Sequence, residues 1–259
     1  MIPETFDLNV IGLPLLAGLL IITTHVPLGR EVLQRGIIFI DLAVAQIAGL
    51  GVIAAVLLGW DIGGWGTQGI AAGSALLGAI LIRGYERYCP ETQEALIGIT
   101  FAMAATGALL LLSGNPHGAE HLSNLLTGQL LWVNSDQLIV VALVYLPVLI
   151  LWYWLGPGRL RFYVLFAVTV TASVQLIGVY LVFSSLIIPA VAVRQLQGIT
   201  AIVAGSILSI LAFASGLMCS LWLDWPAGPT VVWMLAVLGI VFGVVTALYR
   251  GGNALSSDA

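Results

Sequence analysis

The chain has 259 residues, of which 60% are hydrophobic and only 8% charged. A soluble domain carries roughly 25% charged residues, so a water-soluble fold is excluded and most of the outer surface has to face lipid. The formal net charge is −4 and all eight basic residues are arginines; without lysine, neither a Walker A phosphate loop nor a Schiff-base site can be built.

A spanning helix needs about 20 apolar residues. Runs that meet or nearly meet that length cover residues 10–28, 37–58, 65–82, 95–112, 138–155, 162–177, 199–222 and 229–249, and a shorter stretch, 182–193, contains Pro189. No polar stretch is long enough to fold separately. Residues 1–250 therefore read as one all-α, polytopic membrane domain, and residues 251–259 as a disordered cytoplasmic tail.

The first run follows Glu4 and Asp7 rather than a basic segment, and reads as a retained span, not a signal peptide. His25 stands near its inner end beside Pro27, either at a gate or simply at the interface. Asp41 lies one turn into the second run, with Gln46 five residues later; it either lines a pathway or pairs with Arg30 or Arg35. Gly69 and Gly73 in the third run, like Gly239 and Gly243 in the last, have the spacing of close helix contacts. Glu94 opens the fourth run, where a carboxylate also suits a helix N-terminus. Ionisable groups inside a span cost roughly 2.5–3.5 kcal/mol at its centre, and they usually line a pathway.

The segment 113–137 contains Pro116-His117-Gly118-Ala119-Glu120-His121. Imidazole and carboxylate are zinc ligands, so His117, Glu120 and His121 are candidate metal contacts at an outer mouth; an ordinary solvated loop is the plainer alternative. The same string matches an inverted zinc-protease motif. That chemistry needs a regular helix and a third ligand, whereas Pro116 and Gly118 argue for a loop. Cys89 and Cys219 form no CxxC pair. Further on, Ser184-Ser185 precede Pro189, which removes a backbone donor. Such a broken crossing is tolerated only when buried in protein or lining a cavity, and a plain kinked packing helix is the alternative.

The arginines decide whether that short stretch crosses. They fall into five groups, Arg30/Arg35, Arg83/Arg87, Arg159/Arg161, Arg194 and Arg250. Cytoplasmic loops are enriched in arginine, and about nine crossings put every group on one side, with the N-terminus outside and the C-terminus cytoplasmic. The outer loops then contain no arginine, which suits capture of cations.

Several segments together resemble the permeases of ATP-binding-cassette importers for zinc, manganese and iron. They are Pro27-Leu28-Gly29-Arg30, Asp41-Leu42-Ala43 with the small residues up to Gly49, Glu94-Ala95-Leu96-Ile97-Gly98-Ile99, and Leu126-Thr127-Gly128-Gln129-Leu130-Leu131. The closest are Ser185-Leu186-Ile187-Ile188-Pro189-Ala190 with Arg194, and Pro226-Ala227-Gly228-Pro229-Thr230-Val231-Val232. The resemblance implies a multi-pass homodimer in a bacterial inner membrane, served by a cytoplasmic ATPase dimer that uses ATP and by an external metal-binding protein. It implies no nucleotide site of its own, no tightly bound cofactor and no nucleic-acid partner. The cargo would be Zn2+, with Mn2+ or Fe2+ as alternatives.

Two departures stand out. Where the family carries histidine after the second-helix aspartate, this chain has Val44-Ala45-Gln46, and the link Gly156-Pro157-Gly158-Arg159-Leu160-Arg161 is shorter than the family's ATPase-docking segment. Arg159, Arg161 and residues 85–93 are the expected substitutes. The expected pathway lining is Asp41, Gln46, Gln175, Ser184, Ser185 and Pro189, and the expected gate or coupling residues are His25, Glu94, Arg159, Arg161 and Arg194. The rival readings are an ATP-independent channel or secondary carrier, and a membrane enzyme.

Overall fold

A computed structural model describes residues 8–61, 64–113, 123, 126–155 and 158–257. Among them eight long helices follow one another: α1 (Leu8–Arg35), α2 (Ile40–Leu57), α3 (Trp65–Tyr88), α4 (Gln93–Leu112), α5 (Ser135–Leu155), α6 (Arg159–Ala192), α7 (Gly198–Leu223) and α8 (Ala227–Ser257). Short 3₁₀ turns, Pro90–Thr92 and Leu130–Trp132, precede α4 and α5. All eight helices are long and apolar enough to cross a membrane, the expected solution where no water can satisfy backbone groups. The protein is an all-α integral membrane protein.

α6 is the central element. In its most apolar window 72% of the residues are buried, against 17% in α5, and it packs on α1, α2, α3, α5, α7 and α8. Around it α2 lies between α3 and α4, and α7 pairs with α8. Gly216 of α7 admits the backbone of Val231 at the start of α8, where a Cβ would stand 2.7 Å from Val231 Cα. Of the spaced glycines, Gly239 meets Ile188 of α6, while Gly69, Gly73 and Gly243 meet nothing within 4 Å.

The break in α6 is at Gly178, not at Pro189 as the sequence suggests. Gly178 has φ 76° and ψ 165°, a region essentially restricted to glycine. Pro189, by contrast, sits inside a continuous helix, because its fixed φ suits the helix and only one hydrogen bond is lost. The bend divides α6 into a first limb, 159–177, and a second, 179–192.

Both limbs leave the bend toward the same end of the bundle. Phe162, at the foot of the first limb, lies 4.4 Å beneath the Arg35 guanidinium at the end of α1. In the second limb Leu186 presents its carbonyl to Gly29 of α1, and Pro189 and Val193 face Gly205 near the start of α7. Arg30 then donates to the Gly198 carbonyl at 3.0 Å. At 1.5 Å per residue the limbs are about 28 and 21 Å long, so the chain passes through the bundle twice within α6. Eight helices thus give nine passages, with seven arginines, Arg30 to Arg194, at one end. Trp60, Trp65, Trp132, Trp222 and Trp225 are exposed at the opposite end and Trp154 at the arginine-bearing end, as expected of residues enriched at both membrane–water interfaces.

α8 continues to Ser257, beyond residue 250, where the sequence reading ended regular structure. Each glycine costs a helix only about 1 kcal/mol, so Gly251 and Gly252 do not stop one already several turns long.

Candidate functional site

Asp41 is the second residue of α2 and is 1% exposed. Its carboxyl has no counter-ion and no side-chain partner; only the N–H groups of Asp41 and Leu42, at the start of its own helix, face it. The arginines that could have neutralised it are committed elsewhere. Arg35 holds Glu31 at 2.7 Å and Glu86 at 3.5 Å, and Arg30 holds the Gly198 carbonyl. A second carboxylate stands nearby instead: Glu94, in the first turn of α4, acts electrostatically on Asp41. Glu94 Oε1 accepts a hydrogen bond from the Phe39 N–H at 3.1 Å, which caps α2, while its Oε2 is buried without a partner. Three carboxyl oxygens thus lie without a counter-ion or side-chain partner at the positive end of the α2 dipole. Burying an ionisable group without a partner is costly, and within membrane spans such groups usually line a pathway.

Further along α2, the helices α2, α4, the second limb of α6 and the start of α8 line an open groove of about 520 Å³, at whose rim Tyr180 and Trp233 are exposed. Gln46 and Ser184 line it together with Leu42, Tyr180, Phe183 and Trp233. Of the pathway residues expected from the sequence, Gln46 and Ser184 line this groove together, whereas Asp41 stands on another face of α2 and is not part of its lining. Ser185 faces the interior, 1% exposed, and donates to the Val182 carbonyl at 2.9 Å. Pro189 packs toward Gly205. Gln175 is separated from this group by the Gly178 bend; it lines another cavity of about 420 Å³, shared with Gln68, Asn134, Gln137 and Thr171.

His25 is fully buried rather than interfacial. Its Nδ1 lies 3.1 Å from the Ile21 carbonyl, which can only accept, so the Nδ1–H tautomer is assigned and Nε2 remains an unpartnered acceptor. Thr24 Oγ1 is 3.2 Å from the same ring nitrogen. The neighbouring Tyr145 hydroxyl bonds Ser173 and reaches Thr24, tying α1, α5 and α6 together. Arg159 opens α6 in an exposed position, Arg161 folds back beside Gly158, and Arg194 is exposed after the second limb. His117, Glu120 and His121 lie outside the described residues. Among the described residues no three His, Cys, Asp or Glu side chains form a group that could hold a metal.

Two features escaped the sequence reading. Arg35 is a hub joining α1, α3 and α6, and Gly128 interlocks with Gly178. Gly128 has φ 69°, and each glycine occupies the space that the other's Cβ would need against Ile177 and Thr127. A signal for the bend was present: residues 162–193 are too long for one crossing, contain no charge, and hold one glycine, Gly178.

The fold has counterparts among solved structures. A chain of PsaBC from Streptococcus pneumoniae in complex with Fab superposes with a TM-score of 0.70 at 19% identity, covering 91% of either chain. A chain of a metal-chelate type ABC transporter in an inward-facing conformation superposes with a TM-score of 0.65 at 18% identity, covering 93% of this chain and 90% of that one. The sequence model of the ABC 3 transport family matches residues 8–156 and 158–246. With nearly the whole membrane domain matched, this multi-pass chain belongs to the ABC 3 transport family.

Proposed function

We propose that this chain is the permease of an ATP-driven importer that brings a divalent transition metal, zinc in the first instance, into the cytoplasm of a bacterium. ATP is hydrolysed by separate subunits, since a chain without lysine has no Walker A loop of its own. The arginine-bearing end is cytoplasmic by the positive-inside rule, and an external metal-binding protein delivers cargo at the opposite end. Two copies of the permease enclose the pathway between them.

The observation that carries this reading is Asp41, a carboxyl buried in a membrane helix without a counter-ion. A cation passing along α2 would neutralise it. Gln46 and Ser184 offer the cation neutral oxygens. Two or three oxygens hold a transition metal loosely compared with a four-ligand site, and a loose site releases its ion inward. A metal chelate as cargo is the second reading, favoured by the apolar and aromatic lining of the 520 Å³ groove.

The test is co-purification with the ATPase encoded beside this chain, reconstitution in liposomes, and measurement of ATP-dependent uptake of radioactive zinc. Uptake that requires ATP and is lost in Asp41→Asn supports the reading. A chain that purifies alone and passes metal down its gradient without ATP is a channel, and the reading then fails.

A further inference from the structure

The exposed turn between α3 and α4 is assigned no part in the pathway above, yet it is tied to both helices that form it. Its six residues from Arg87 to Thr92 are all exposed, and Tyr88 is 74% exposed with the Arg87 guanidinium 5.3 Å above its ring. The turn is nevertheless ordered. Cys89 N–H donates to the Tyr85 carbonyl at 2.8 Å, Thr92 N–H donates to the Cys89 carbonyl at 3.2 Å, and Pro90 opens the 3₁₀ turn. An aromatic and an arginine presented on a rigid turn are the residue types that dominate protein–protein hot spots.

What lies beneath the turn gives it a mechanical role. Immediately after it Gln93 Nε2 donates to the Tyr163 hydroxyl at the foot of α6, at 3.2 Å. The next residue, Glu94, accepts from Phe39 N–H and so holds the start of α2, one turn before the pathway side chains. On the other side Glu86 meets Arg35 of α1. A push on the turn therefore reaches α2, α6 and α1 through one hydrogen bond or ion pair each.

Other connections at the arginine-bearing end offer less. Residues 156–158 alone join α5 to α6, too few to project a docking helix. The link between α1 and α2 buries Ile37 and stacks Phe39 on Phe183. The link between α6 and α7 is held back on α1 by Arg30 and on itself by the Leu196 N–H bond to the Val193 carbonyl.

We propose that the nucleotide-hydrolysing subunit docks on the α3–α4 turn, with Tyr88 as its anchor, and that Gln93 and Glu94 transmit the motion to α6 and α2. This rests on the reading that such a subunit serves the permease. A protein fits the turn better than a lipid headgroup, because the opposed charges of the exposed Arg87 and Glu91 give an anionic bilayer surface no net hold, while Tyr88 stands on an ordered turn joined through Gln93 and Glu94 to α6 and α2.

The native Cys89, exposed and free of a disulfide, supplies the probe. In a Cys219→Ala background, a photoactivatable maleimide on Cys89 is expected to cross-link the ATPase subunit in the intact, zinc-transporting complex. Tyr88→Ala should lower zinc-stimulated ATP hydrolysis about tenfold or more, the effect of losing one interface hot spot, without lowering the permease's melting temperature. Gln93→Leu should leave the complex assembled but make its ATP hydrolysis insensitive to zinc.

Capture of lipid only from Cys89, or capture of the ATPase from Gln197→Cys but not from Cys89, overturns the proposal while leaving the importer reading intact. Failure of any ATPase to co-purify with the wild-type chain removes the importer reading and this inference with it.

Discussion

Replacing Gly178 with alanine should damage this protein far more than its place in an apolar run suggests. The residue holds φ 76° and ψ 165°, and forcing a side chain into that region costs about 1–3 kcal/mol. The new Cβ would also collide with the backbone of Gly128 and come within 2.6 Å of the Thr127 carbonyl carbon. Overpacking of that kind adds about 1–3 kcal/mol, and the segment cannot retreat freely because the Thr127 carbonyl itself lies against Gly228 of α8. The sum, about 2–6 kcal/mol, corresponds to a fall of roughly 4–24 °C in the melting temperature of a chain this long, at about 2–4 °C per kcal/mol. Thermal unfolding of the purified protein in detergent, followed by tryptophan fluorescence, reads it directly. Gly128→Ala should be similarly harmful. The double variant should fall short of the sum, because both substitutions break one shared contact. Pro189→Ala supplies the contrast: it restores a helical hydrogen bond and should leave stability unchanged or raised. A Gly178→Ala protein that melts within a degree or two of the parent, or a Pro189→Ala protein that suffers more, would refute the placement of the bend.

Asp41→Asn replaces a buried carboxyl that has no counter-ion with a neutral group of the same shape, so it should hold or raise the melting temperature while abolishing ATP-dependent metal uptake; a variant that transports normally counts against the pathway. Glu94→Gln keeps an acceptor for Phe39 N–H and should be mild, whereas Glu94→Leu strands that donor and should cost about 1–3 kcal/mol, measured as the difference in melting between the two variants. Arg35→Ala breaks the contacts with Glu31, Glu86 and the Phe162 ring. It should destabilise by about 2 kcal/mol, a loss that added salt should mimic only in part because the ring contact persists.

Much of this architecture is legible along the chain. The length of each apolar run and the clustering of arginines are one-dimensional properties, and lipid imposes them locally on every crossing. The helices therefore fall where the runs are, and the arginines gather at one end. Asp41 and Glu94 also stand out in the sequence, because a carboxylate in a span is conspicuous wherever it sits. Their pairing at the start of α2 is not legible, and neither is the diversion of Arg35 to Glu31 and Glu86, since both depend on which helix ends meet. The position of the break in α6 depends on tertiary contact as well. Pro189 looks like the breaker because its ring removes a donor, but a proline inside a helix loses one bond and continues. Gly178 looks harmless because glycine permits a positive φ without demanding it, and the approach of Gly128 accompanies that choice. Composition alone determined that this chain is a bundle of membrane helices with one arginine-rich end. The sequence also carried the reversal within α6, as two apolar runs with one glycine between them, but its locking by Gly128 and the meeting of Gln46 with Ser184 were decided by packing between segments far apart in the chain, which no local pattern encodes.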